Sequence, residues 1–141
     1  GYRRAVAADD YDADFVLTAQ LSMLYHLHGE GEKMESCFLI GRQLFPEEIV
    51  WTCGLAWVWA KQGKLSAARG LVESVGTIRS WPVDRNWLVA GCLLADTLGL
   101  VDVTDGAEEL YRSLEPYSER LASFGSGVAL WAPVARSLGI L

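Results

Sequence analysis

Three glycines, Gly29, Gly63 and Gly99, lie 34 and 36 residues apart and divide the chain at a nearly constant period. Each follows a stretch rich in large apolar residues and precedes one with small residues inside. Apolar positions recur at three and four, the helical period, and long alternations are absent. A fixed period of this length means helix pairs that bury their apolar faces only by stacking on one another. The spacing predicts pairs over about 14–46, 47–80 and 84–118, and a capping helix over about 128–138. The first helix is expected to start near Asp14, capped by Asp12 or Asp14, and Gly99 to end the fifth. Residues 118–127 read as a loop, and Pro133 falls inside the last helix, where it should kink or delay it.

Composition narrows the class. Hydrophobic residues are 51% of the 141 and charged residues 21%, which fits a folded chain. The net charge of -6 argues against direct nucleic-acid contact, because that affinity comes mostly from lysine and arginine neutralising phosphates. No apolar run is long enough for a membrane span. Cys37, Cys53 and Cys92 are odd in number and lack CxxC spacing, so they read as reduced thiols in a cytoplasmic helical core. Gly1 in the place of Met suggests a piece of a longer protein.

Finer matches point to the tetratricopeptide pattern. With Gly29 at the turn, Tyr25 stands four before it and Pro46 seventeen after it. Gly63 is followed by Lys64-Leu65-Ser66-Ala67-Ala68-Arg69, where Ala68 would set a close helix approach. Ala107 and Tyr111 take the corresponding roles in the third unit, and Phe38 and Trp59 fill gaps. The expected fold is all-α: a right-handed α-α superhelix of about three such pairs with a C-terminal capping helix.

The stretch Trp81-Pro82-Val83-Asp84-Arg85-Asn86-Trp87-Leu88 is followed by Leu94-Ala95, Leu98-Gly99, residues 110–117 (Leu-Tyr-Arg-Ser-Leu-Glu-Pro-Tyr) and Leu138-Gly139-Ile140-Leu141. With Trp51, Leu55-Ala56 and Ala67-Ala68-Arg69 upstream, it resembles the C-terminal helical-repeat regions of large bacterial STAND-ATPase regulators. Those carry adenylate/guanylate cyclase or LuxR/SARP-type DNA-binding domains. The resemblance implies a regulatory module in signal transduction or transcription regulation, not the catalytic or DNA-contacting part.

No catalytic constellation stands out. There is no phosphate-binding loop and no GxSxG elbow. His26 and His28 point to opposite sides of a helix, so with Glu30, Glu32 and Glu35 they read as a solvated turn, and no metal or cofactor is expected. The expectation is therefore a non-catalytic protein–protein interaction scaffold whose partner is another domain of the parent chain or a signalling protein. Self-association as a homodimer and small-molecule binding in an aromatic pocket are the alternatives. The inward-facing candidates are Met23, His26, Trp57, Lys61, Leu93 and Asp96. That lining is apolar, and two occupants compete for it: a partner's helix, or this chain's own terminal helix around Trp131, which is preferred.

Overall fold

The computed structural model describes residues 2–125 and 127–141, with side chains from residue 13 onward. Among the described residues, seven α-helices and one hairpin run in the order α1 (Tyr2–Leu27), α2 (Gly31–Leu44), α3 (Ile49–Lys61), α4 (Leu65–Val75), α5 (Trp87–Val101), α6 (Ala107–Leu114), β1 (Leu121–Phe124), β2 (Ala129–Pro133) and α7 (Val134–Ile140). Single 3-10 turns occupy Ile78–Ser80 and Glu115–Tyr117. Among the described residues no helix is long and apolar enough to cross a membrane.

Short turns fold α2 back on α1, α4 on α3 and α6 on α5, and α2 and α5 both pack on α3. The α3–α5 interface is the broadest, which follows from composition. α3 holds Val50, Trp51, Cys53, Leu55, Ala56 and Val58, and α5 is buried without interruption from Val89 to Leu98. Helices apolar on every side must be central. Close approach comes from reciprocal glycines: a Cβ on Gly41 of α2 would strike the Trp51 indole, and one on Gly54 of α3 would strike the Phe38 ring. Ala68 is fully buried with Ala60 and Val101, as its predicted spacer role requires, whereas Tyr111 is exposed and fills no gap.

Several boundaries differ from expectation. α1 begins at Tyr2, not near Asp14, because Ala5, Ala7 and Ala8 extend the helix before the aspartates. Gly29 and Gly63 end their helices with φ of 69° and 80°, the left-handed conformation glycine adopts freely. Gly99 does not. It lies inside α5 beneath the Ile140 side chain, and Asp102, at φ 54°, closes the helix one turn later. The 36-residue period therefore marked a packing glycine and not a turn.

The largest correction is C-terminal. The predicted loop and capping helix are an antiparallel hairpin followed by a seven-residue helix. Its register pairs Leu121 with Pro133, Ala122 with Ala132, Ser123 with Leu130 and Phe124 with Ala129, with an irregularity between Ala122 and Ser123. Pro133 is not inside a helix. It ends β2 and caps α7 at φ -61° and ψ 134°, a geometry its ring favours. The described residues are thus mostly helical, with one two-stranded sheet among them.

The hairpin belongs to the same core as the helices. Phe124 is fully buried, with its ring centroid 6.1 Å from Trp51 and 6.5 Å from Phe38. Phe15 adds edge contacts to Trp51 at 5.2 Å and Phe45 at 5.6 Å. β2 lies on α1, and β1 and α7 lie on α5.

Candidate functional site

The faces of α1, α3 and α5 that the repeat pattern turns inward meet at Trp131. Its indole makes an edge contact with Trp57 of α3 at 4.7 Å and lies 5.1 Å from the His26 ring of α1. His26 and Trp57 are themselves 5.1 Å apart and nearly perpendicular. Three first helices of three pairs are thereby bridged by one side chain of the hairpin.

Asp96 of α5 anchors this closure. Its carboxylate is buried, with Oδ2 accepting from Trp131 Nε1 at 3.1 Å and Oδ1 accepting from the Ser137 hydroxyl at 2.8 Å. Arg136 completes the set with an ion pair to Oδ2. A buried carboxylate is tolerated when its charge is matched and its lone pairs are filled, and β2 and α7 supply all three donors. Arg136 also lies over the Trp131 ring at 5.7 Å.

Of the six inward-facing candidates, His26, Trp57, Lys61 and Asp96 converge here. Lys61 is exposed, its ammonium 5.9 Å from the Trp57 ring. Met23 and Leu93 are buried in the core and present no surface to a partner. The inner face is filled by β2 and α7 around Trp131, a strand residue and not a helical one. Burial pushes the His26 pKa down from its ordinary value near 6.5, and the positive charges of Arg136 and Lys61 push the same way.

Asn86, the residue just before α5, is not among the six candidates. It is buried and ties the hairpin to the stack: Oδ1 accepts from the Gly125 N–H at 2.8 Å and Nδ2 donates to Glu48 at 2.9 Å. A polar residue just before an apolar helix gave some signal, but Gly125, its partner, is 39 residues away.

The acidic turn has other work. Glu35 accepts from Trp59 Nε1 at 2.6 Å and from Gln62 at 3.3 Å, while Glu30 pairs with Lys33 at 2.9 Å. The Trp59 hydrogen bond is the main cause that holds the Glu35 carboxyl below its ordinary pKa. Among the described residues no group of His, Cys, Asp and Glu is placed to hold a metal. Cys37, Cys53 and Cys92 are buried and unbridged, and burial raises all three thiol pKa values, that of Cys92 to about 11.

No known protein family matches the chain, and no characterised protein or solved structure is significantly similar to it.

Proposed function

We propose that the chain is a non-catalytic interaction module, a right-handed superhelical stack of tetratricopeptide-like pairs, in a larger bacterial signalling or transcription-regulatory protein of the cytoplasm. The observation that carries this reading is the outer face of the first pair. Leu17 and Leu24 of α1 are 56% and 46% exposed, and Ile40 and Leu44 of α2 are both 49% exposed. Leu17, Leu21 and Leu24 form one stripe by helical spacing, as do Ile40 and Leu44. The stripes adjoin, since Lys33 of α2 lies over Tyr25 of α1.

Stacked pairs cover such faces with the next pair. α3 covers one side of α1 and α2; a further helix pair from another domain of the parent polypeptide fits the other. The inner face is a poor partner surface, because displacing Trp131 would take its indole N–H from the buried Asp96 carboxylate.

Hydrogen exchange tests the reading in the natural polypeptide that carries this sequence, against the 141-residue chain alone. Slower exchange across residues 17–27 and 33–44, reversed by Leu24→Glu with Ile40→Glu, is expected. Identical exchange in both contexts contradicts it. Slowing that instead grows with the concentration of the isolated chain would assign the face to a second copy, against this reading.

A further inference from the structure

A second concave feature lies away from the Trp131 closure, between the outer helices of the second and third pairs. α4 stops at Gly76 and α6 has only eight residues, so the two fail to cover α5 between them. The gap is a cavity of about 300 Å³. Its floor is Leu94 and Leu98 of α5, Val72 lines one wall and Leu110 another, and Ile78 closes an end. That volume is at the small end of ligand sites and suits a body on the order of ten heavy atoms.

The charged side chains that line this cavity are of one sign. Glu73, Asp105 and Glu109 line it, and among the described residues no lysine, arginine or histidine does. Glu109 Oε1 is sealed from solvent and receives no hydrogen bond from the described residues. Arg79 Nε stands 3.4 Å from it, a charge contact from a largely exposed guanidinium. One guanidinium against three carboxylates leaves the lining of this apolar cavity negative, which suits a cation brought by a ligand.

We propose that this cavity binds a small amphiphilic cation: an apolar chain or ring inserted over Leu94 and Leu98, bearing an ammonium that donates to Glu109. Asp105 and Glu73 add favourable potential at the mouth, while an anionic head group on the same body is repelled. The site uses no tryptophan and is independent of the docking face on the first pair.

A matched series separates head group from apolar body: 4-phenylbutylamine, 4-phenylbutan-1-ol and 4-phenylbutanoate, titrated into the whole chain and followed by amide chemical shifts. The amine is expected to bind saturably, shifting Gly76, Gly106 and Leu110, about tenfold more tightly than the alcohol, as one charge-assisted hydrogen bond allows. The carboxylate should be weakest. Glu109→Gln should remove most of the amine's advantage over the alcohol, and Val72→Phe should block all three. Equal binding of amine and alcohol to the native chain, shifts confined to other residues, or no shifts at all overturn the proposal. If Val72→Phe fails to fold, the Glu109→Gln comparison decides alone.

Discussion

Asp96 shows how far one residue's role depends on partners distant in sequence. On α5 alone it is a polar residue at an inward-facing position and reads as a contact for a partner. In the structure it accepts from Trp131 and Ser137 and pairs with Arg136, and it is internal. Asp96→Ala should cost about 2–3 kcal/mol by urea unfolding, since it leaves buried donors unfilled. Arg136 is half exposed, so Arg136→Met should cost less, about 1 kcal/mol. His26 gives a pH signature. Its folded pKa lies below the unfolded value, so the unfolded chain takes up a proton more readily there. The contribution of the neutral ring is complete above pH 6.5 and is lost as pH falls from there toward the folded pKa. Urea midpoints should therefore drop on acidification through that range, and His26→Phe should flatten that part of the profile.

At the scale of elements, the helices were legible and the hairpin was not. α2 and α3 follow from the helical period and their glycine or proline limits to within a turn, and α5 follows from the period but runs past Gly99. The hairpin was hidden for two reasons. Pro133 stands in a stretch whose apolar residues also fit a short helix, and Phe124 earns its place only against Trp51 and Phe38, which are remote in sequence. β1 alternates in burial, but its sequence Leu121-Ala122-Ser123-Phe124 does not alternate in polarity, so the strand left no periodic signal. Glycines in helices give a prediction of opposite signs. Gly41→Ala drives a methyl group into Trp51 and should destabilise by about 1–3 kcal/mol. Gly70 sits in α4 with open space around it, and Gly70→Ala should stabilise by about 0.5–1 kcal/mol. Thermal unfolding of the two variants checks both.

Across the whole molecule, the order of packing follows the order of the chain until the hairpin. Three pairs stack around α3 and α5, and the last 21 residues, Leu121–Leu141, then return across α5 and α1. The sequence showed that the inner faces were apolar and named Trp131 as the residue to fill them, but assigned it to a helix. This return is the most non-local part of the fold, with Asn86 and Asp96 each bonding across about forty residues. It half-buries His26 and Trp57 beneath Trp131 and occupies much of the inner face, which moves the proposed docking surface to the outer face of α1 and α2.

Nuclear Overhauser contacts in the folded chain read this closure of Trp131 on the first helices. The indole protons of Trp131 should show strong contacts with those of Trp57 and with the His26 ring. A well-dispersed spectrum in which Trp131 contacts neither would contradict the account and leave the inner face open.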